Sequence, residues 1–277
     1  INVKYFETGD KVMAFAPFNS YSSHINVNQQ MLIKLPENLS LEQGAAFPVA
    51  YVTAYMMMFN LGNLKKNEYL FIQGAGGGVG TSAIQLAKTV GAKIIGTSSK
   101  WKHERLKEMG VNLCIDYGKE NVYEKVMEYT KNKGVELIID PVGSNNWKAS
   151  YRCLAPLGKL VIFGDQNFVK GKKFSFLTSL KEFFSMPKYR PMDLMNKNRS
   201  VMGYHLGRLI GSEHRIHQAV EKLNELAKDG KIKPVIDKIF PFSEAPHAHA
   251  YIQNRKNFGK VLLDFRGNEK KPDDVSN

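Results

Sequence analysis

The chain has 277 residues, of which 43% are hydrophobic, and a formal net charge of +13. This length suffices for two domains of ordinary size, each with a core that needs no crosslinks. No stretch approaches the roughly 20 consecutive apolar residues of a membrane helix, and the first residues lack the basic flank and apolar core of a secretory signal. The composition therefore predicts a folded globular protein in the cytoplasm.

The first part of the chain predicts short antiparallel strands joined by turns. The segments YFETGDKVMAFAPF and INVNQQMLIKLP combine short apolar runs with turn-forming residues. From Tyr69 onward the pattern changes, because short apolar runs alternate with helical periodicity. This alternation is typical of a doubly wound parallel sheet, an α/β fold.

Six apolar runs predict six parallel strands. They are YLFIQ (69–73), KIIGT (93–97), NLCID (112–116), VELIID (135–140), KLVIF (159–163) and SVMGY (200–204). Between the first two runs, one helical face carries Val79, Ala83, Ile84, Ala87 and Val90. Gly91 follows, where a left-handed residue would end the helix.

The end of the chain predicts a helix, a strand, a short helix and a final strand, in HQAVEKLNELAKDG, VIDKIFPF and KVLLDF. We expect the two ends to build one domain around an inserted nucleotide-binding domain. The predicted boundaries are 1–49 with 212–265 for the outer domain, 50–211 for the inserted domain and 266–277 for a disordered tail.

The motif QGAGGGVGTS (73–82) lies directly after a predicted strand and before a predicted helix. Glycines let the backbone turn sharply and approach a diphosphate, while the helix start offers unpaired N–H groups. Ala75 replaces the first glycine of the usual GxGxxG pattern, and Gly77 and Gly80 are the other two. We interpret the motif as a dinucleotide-binding loop, against the alternative of a purely structural turn.

The second strand ends in GTSSKWKHER, and its first acidic residue is Glu104. An NAD site normally places an acid here for the ribose 2′-hydroxyl. Ser98, Ser99, Lys100 and Lys102 instead offer hydroxyl and ammonium groups that suit a 2′-phosphate. The sequence favours NADPH (NADP), with a solvated basic loop as the alternative.

Catalytic zinc requires three protein ligands, and the histidine and cysteine pattern does not supply them. Cys114 and Cys153 lie in separate apolar contexts, which predicts reduced, buried packing residues. His247 and His249 have a spacing that does not converge on one helical face, which predicts surface positions. No metal site is predicted.

Several segments resemble the zinc-independent quinone oxidoreductases of the medium-chain dehydrogenase superfamily. They are GDKVMAF, LSLEQGAAFPVAYVTAY, GAGGGVGTSAIQLAK, IIDPVG, LAPLGKLVIFG and GKVLL, and the resemblance runs from about Gly9 to Asp264. The branch of vesicle amine transport proteins is most similar, through a K-H-E stretch, an I-D-Y stretch and a G-x-H-L-G stretch at 203–207.

The resemblance implies a Rossmann domain inserted in a GroES-like, mostly β catalytic domain, and it implies cofactor contacts residue by residue. Gly77, Gly78, Val79 and Gly80 would hold the diphosphate, and Gly96 would approach the adenosine ribose. Lys102 and Tyr117 would contact the 2′-phosphate. The nicotinamide end would lie near Thr53, Val142, Gly143, Phe163, Gly164, Tyr204 and His205. Tyr117 as a sheet-edge aromatic and His205 as a packed histidine are the alternatives.

Two departures from the family pattern stand out. Family members have a longer segment before the G-D-K-V stretch, so we expect an N-terminally truncated catalytic domain with an incomplete substrate pocket. Ala50 stands where relatives often have asparagine, which removes one polar pocket contact.

The predicted reaction is zinc-independent hydride transfer to a quinone, an enone or an alkenal, by a homodimer. Such a reaction relies on positioning and on donors to the developing oxygen anion, and no residue is identified as an indispensable acid. The alternative is a nucleotide-binding, membrane- or partner-associated protein without turnover. No nucleic-acid partner is predicted, because the basic residues are scattered.

The segment 168–199 combines aromatic and basic residues. It predicts either peripheral membrane contact or a cover for the substrate cleft or dimer interface.

Overall fold

The computed structural model describes residues 3–16, 18–164, 185–209 and 213–266. Its centre is a six-stranded sheet in which every neighbouring pair is parallel. The strands are β3 (Tyr69–Ile72), β4 (Lys93–Ser98), β5 (Leu113–Asp116), β6 (Val135–Asp140), β7 (Leu154–Ile162) and β8 (Ser200–Gly203). All six predicted strands are therefore confirmed, although β7 begins five residues before the predicted run at Lys159.

The strand order is β5-β4-β3-β6-β7-β8. The chain runs outward from β3 to β5 and then returns to the other side of β3 to form β6. Ligands of such sheets bind outside the carboxyl ends of the strands where the order reverses. The loops after β3 and β6 therefore lie at the expected binding crevice.

Alternate residues of the central strands pack into two separate hydrophobic cores. Leu70 and Ile72 belong to one buried cluster, whereas Phe71 belongs to the other. Strands buried on both faces read as continuous apolar runs, which is why these segments were recognisable in the sequence. The doubly wound α/β prediction is confirmed.

Helices lie between the strands and cover the sheet. They are α3 (Gly78–Val90), α4 (His103–Glu108), α5 (Val122–Tyr129), α6 (Ser144–Arg152) and α7 (Pro191–Lys197). The predicted buried face of α3 is present, with Ala83, Ile84 and Ala87 fully buried. Gly91 ends α3 with φ of 72°, as expected for a left-handed helix cap.

Before the sheet, β1 (Val12–Ala14) pairs with β2 (Leu32–Lys34) in antiparallel fashion, as predicted. Two helices follow, α1 (Leu41–Ala46) and α2 (Pro48–Tyr55). The chain then continues from α2 as a wider, π-type helix over Met56–Leu61. Such π segments are rare and often lie beside functional sites.

The C-terminal elements are α8 (Glu213–Lys228), β9 (Ile236–Pro241), α9 (Ala245–Gln253) and β10 (Lys260–Asp264). The helix–strand–helix–strand prediction is confirmed, and β9 and β10 form a parallel pair. Arg266 joins the two ends of the chain, because its guanidinium lies 2.6 Å from the Glu42 carboxylate. The predicted disordered tail lies, apart from Arg266, outside the described residues.

Candidate active site

The glycine loop lies at the carboxyl end of β3 and leads directly into α3. Gly77 precedes the helix in an extended conformation, and Gly78, Val79 and Gly80 form its first turn. N–H groups in a first helical turn have no intrahelical acceptor. Four residues of the predicted diphosphate site are thus placed together at a helix N-terminus.

The shape of the loop depends on missing side chains. A Cβ atom on Gly80 would lie 2.5 Å from the Ala75 carbonyl oxygen, so α3 can approach the loop this closely only with glycine here. A Cβ atom on Gly77 would instead have one neighbour, the Gly74 oxygen at 3.4 Å. The space beside Gly77 is therefore open to a ligand, and the loop fits a diphosphate.

Gly96, predicted to approach the adenosine ribose, packs against the loop itself. A Cβ atom there would lie 2.7 Å from the Ala75 Cβ. Alanine at the first position of the motif is thus accommodated by glycine on the neighbouring strand. This packing accounts for Gly96 without a ligand, and its ribose contact stays a prediction.

A chain of buried polar groups holds the loop against β4 and β6. The Gly74 N–H donates to the Thr97 hydroxyl at 3.1 Å, and that hydroxyl donates to the Gln73 side-chain oxygen at 2.7 Å. The Gln73 amide donates to Ser150, whose hydroxyl donates to the Asp140 carboxylate at 2.6 Å. Sequence reasoning missed this network, because its members are distant in the chain.

Replacing Ser150 with alanine should lower the free energy of unfolding by about 1–3 kcal/mol, since the buried Gln73 amide loses its acceptor. Urea denaturation would measure this loss. Ser243→Ala removes a hydroxyl from an exposed residue and serves as the matched control. Equal stability of the two variants would show that the network does not support the loop.

A second cluster lies beside the ends of β4 and β5. The Tyr117 hydroxyl lies 3.0 Å from the Ser99 hydroxyl, and it accepts a hydrogen bond from Arg255 at 3.3 Å. Burial alone would raise the pKa of Tyr117, but the Ser99 and Arg255 contacts lower it below its ordinary value. The cluster presents donors and positive charge, as a 2′-phosphate requires.

Lys102 lies between this cluster and the glycine loop. Its side chain is buried, and its Nζ donates to the Asn257 carbonyl at 2.5 Å. A Cβ atom on Gly76 would lie 3.6 Å from this Nζ, which places the ammonium beside the loop. Burial lowers the pKa of Lys102, while Tyr117 and Asp237 offset part of that shift. A phosphate would favour its charged form further.

The other candidates for the 2′-phosphate differ in position. The Ser98 side chain is buried and donates to the Ser99 carbonyl. Lys100 is exposed. Ser99, which contacts Tyr117, is therefore better placed than Ser98 to bind a 2′-phosphate. Tyr117 directly follows the edge strand β5. Its position therefore fits both predictions, a 2′-phosphate contact and an aromatic residue at the sheet edge.

Sequence reasoning missed two basic residues from the C-terminal elements. Arg255 follows α9 and packs over the Tyr117 ring, with its guanidinium carbon 5.6 Å from the ring centroid. The Lys260 stem covers Gly78, since a Cβ atom there would lie 2.6 Å from the Lys260 Cδ. The basic stretch NRKNFGK was the available signal, but its distance from the glycine motif concealed it.

The C-terminal segment reaches the glycine loop through the backbone. The Gly259 N–H donates to the Gly76 carbonyl at 2.9 Å. The same segment carries Arg255, which contacts Tyr117, and Lys260, whose stem lies beside Gly78. The nucleotide crevice is thus built from the central sheet and from the end of the chain.

An open cleft of about 800 Å³ lies at the ends of β7 and β8. It is lined by four residues predicted near the nicotinamide, namely Phe163, Gly164, Tyr204 and His205. The His205 side chain is exposed, which contradicts its alternative reading as a packed histidine.

Three further residues predicted near the nicotinamide do not line this cleft. Thr53 is buried on α2 and lies close enough to Tyr204 to affect its pKa. Val142 and Gly143 follow β6, where the Val142 N–H donates to Asp140. Gly143 has φ of 117°, a conformation that favours glycine. Val142 and Gly143 therefore lie at the strand-order reversal, beside the glycine loop.

Within residues 3–16, 18–164, 185–209 and 213–266, no group of three histidine, cysteine or acidic residues could hold a metal ion. His247 and His249 are exposed, as predicted. Cys153 is buried, as predicted, but Cys114 is only half-buried because it lies on the edge strand β5, so the prediction of a buried residue was wrong for Cys114.

Comparison with known proteins identifies the family that has this arrangement. A family profile described as Zinc-binding dehydrogenase matches residues 78–225, about half of the chain. The crystal structure of the human synaptic vesicle membrane protein VAT-1 homolog-like protein is 31% identical, with a TM-score of 0.80 over 98% of this chain and 75% of that chain. The chain belongs to the zinc-binding dehydrogenase family.

Within this family, the chain belongs among the VAT-1 and quinone oxidoreductase-like proteins of the medium-chain dehydrogenase superfamily. The mouse synaptic vesicle membrane protein VAT-1 homolog is 35% identical over 258 residues, which are 93% of this chain and 63% of the relative. The chain therefore spans a little under two thirds of the curated relatives it matches.

A structure of the Escherichia coli quinone oxidoreductase complexed with NADPH is 28% identical, with a TM-score of 0.81 over 94% of this chain and 77% of that chain. The predicted fold class, a Rossmann sheet combined with a GroES-like domain, is confirmed by these relatives.

Proposed function

We propose that the protein is an NADPH-dependent reductase that transfers hydride to a quinone or to an activated alkene without zinc. The observation that carries the proposal is the placement of Lys102, Tyr117 and Arg255 around one side of the glycine loop. The structure of an NADPH complex of a related quinone oxidoreductase supports the same choice of cofactor. NAD would leave these cations without a phosphate.

Different residues would bind different parts of the cofactor. The first turn of α3 would bind the diphosphate, and the Lys102 and Arg255 cations would bind the 2′-phosphate. The nicotinamide would extend toward the cleft, where Phe163 and Gly164 follow β7. When bound, reduced nicotinamide supplies a hydride, and the substrate takes up a proton to complete the reduction.

Tyr204 is the candidate donor to the substrate oxygen. It lines the cleft at the end of β8, and its buried hydroxyl, with the Thr53 side chain beside it, makes no well-formed hydrogen bond with any described residue. Burial raises the pKa of Tyr204 above its ordinary value of 10.0, and Thr53 offsets only part of this shift. The hydroxyl therefore stays protonated at neutral pH and can donate to a developing oxygen anion.

Replacing Tyr204 with phenylalanine should lower kcat roughly 10- to 100-fold while the Kd for NADPH changes little. The pKa is raised, so no loss of rate from Tyr204 ionisation is expected between about pH 6 and pH 9. Steady-state kinetics across this range would test both statements. Tyr129→Phe, an exposed position away from the cleft, is the matched control. Unchanged kcat in Tyr204→Phe would exclude the donor role.

The proposed activity is tested by NADPH oxidation with a panel of quinones, enones and alkenals. Consumption of NADPH that depends on the acceptor would support the reductase. Tight NADPH binding without turnover of any acceptor would favour the alternative, a nucleotide-binding protein that acts through a partner.

We also propose that 1–49 and 212–265 form one catalytic domain around the nucleotide domain 50–211. Contacts between the chain ends support this division. The Tyr21 hydroxyl lies 2.8 Å from His249, and Arg266 pairs with Glu42.

A homodimer is the assembly we propose. Strand β8 is at the edge of the sheet, where a second copy could extend it. Beside it, α7 exposes Met192 and Met195, with 61% and 66% of their surfaces accessible. Exposed methionines next to the edge strand of the described sheet suit a self-complementary interface.

The proposed membrane contact through 168–199 falls largely on residues 168–184, outside the described residues. In the part that is described, Met186 lines the cleft and Tyr189 packs against Tyr151, which supports the alternative of a cleft cover. No described helix has the length and apolar character to cross a membrane. A cytoplasmic location stays a prediction.

A further inference from the structure

The cleft at the ends of β7 and β8 has an apolar lining that exceeds what a nicotinamide ring needs. Its apolar residues come from the π-type helix, from α6, from β7 and from the segments before α7 and α8. They are Met56, Leu61, Trp147, Ile162, Phe163, Met186 and Leu209. A volume of about 800 Å³ is that of a pocket for a whole small molecule.

Two arginines, Arg208 and Arg215, line the same cleft. Neither guanidinium group has a carboxylate, hydrogen-bond or aromatic partner within the part of the chain that the structure describes. By contrast, Arg105 pairs with Asp237, and Arg199 donates to the Tyr151 carbonyl. Both side chains are exposed to solvent, so two cations border an otherwise apolar cleft and attract a negatively charged group to it.

The buried polar groups of the cleft are also donors. The Trp147 indole N–H has no partner among the described residues, and the Tyr204 hydroxyl, with the Thr53 side chain beside it, makes no well-formed hydrogen bond with any of them. Both residues are only 8% exposed. Buried donors are normally satisfied, and here acceptor oxygens of a ligand would satisfy them. The cleft therefore combines an apolar body with donors and positive charge.

We propose that the substrate is an anionic amphiphile: an apolar hydride acceptor that also carries a carboxylate or a similar acidic group. The acidic group binds Arg208 and Arg215, the apolar body lies along Met56 and Phe163, and the reducible carbonyl accepts a hydrogen bond from Tyr204. This assignment rests on the proposed reductase function and defines its substrate class.

The test uses a matched pair of fluorescent probes, cis-parinarate and its methyl ester, which have the same hydrocarbon chain and differ in the negative charge and one methyl group. Both are titrated into the protein saturated with NADP⁺, whose binding is first confirmed by calorimetry. The acid should bind at least about tenfold more tightly than the ester. The double variant Arg208→Gln/Arg215→Gln should abolish this preference and keep the NADP⁺ affinity. Arg190→Gln makes the same charge change at an exposed position outside the cleft and should keep the preference.

The outcomes separate the two proposals. Equal affinity for acid and ester on the unchanged protein, or a preference that survives the double variant, would overturn the anionic-substrate assignment while leaving the reductase intact. Failure of the folded protein to bind NADP⁺ or NADPH would overturn the reductase function itself.

Discussion

Replacing Gly77 with alanine is expected to weaken NADPH binding while leaving the fold unchanged. The added Cβ would meet only the Gly74 oxygen, at 3.4 Å, so the protein tolerates it. The φ of −87° at Gly77 also suits alanine. The methyl group would occupy the space in which the diphosphate approaches the backbone. We expect a loss of about 1–3 kcal/mol in binding, or roughly 5- to 150-fold in Kd, for NADPH and NADH alike.

Calorimetric titration and thermal unfolding of the same samples would measure the two effects. Gly80→Ala is the informative comparison, since its Cβ would lie 2.5 Å from the Ala75 oxygen. That variant should lose about 1–3 kcal/mol of stability as well as cofactor affinity. If Gly77→Ala bound NADPH as tightly as the unchanged protein, the diphosphate would not lie against this loop.

The variant with both Lys102→Met and Arg255→Gln should lose its preference for NADPH over NADH. Charge-assisted hydrogen bonds contribute about 1.5–3 kcal/mol each, so NADPH affinity should fall roughly 100-fold or more. NADH affinity should change less than about threefold, because NADH carries no 2′-phosphate. Arg255 lies at the Tyr117 hydroxyl and Lys102 lies beside the glycine loop. Neither residue lines the proposed substrate cleft.

Dissociation constants for both nucleotides, measured at one salt concentration, give the ratio directly. Lys107→Gln is the control, since Lys107 is an exposed lysine that pairs with Glu104 on α4. Because Lys102 also donates to the Asn257 carbonyl, Arg255→Gln alone should be measured too. An equal loss of affinity for NADH and NADPH would place the 2′-phosphate elsewhere.

Local chemistry explains how much of the fold the sequence could predict. The inner strands of the sheet contribute to buried clusters on both faces, and Gly91 ends α3 as its position predicted, so these elements left local signals. The glycine loop was recognisable for the same reason, since strand, loop and helix are contiguous.

Contacts between distant segments could not be predicted in this way. Arg255 reaches Tyr117 across 138 residues, and Ser150 reaches Gln73 across 77 residues. Nothing in the local sequence distinguishes Arg208 and Arg215 from the many surface lysines. They become candidates because the fold places both at one apolar cleft, where their guanidinium groups have no partner among the described residues.

Calorimetric titration of the folded protein with NADPH and with NADH tests the proposed cofactor site most directly. We expect one NADPH per chain, bound at least about tenfold more tightly than NADH because of the 2′-phosphate contacts. Absence of binding by either nucleotide to protein of native stability would contradict the proposal.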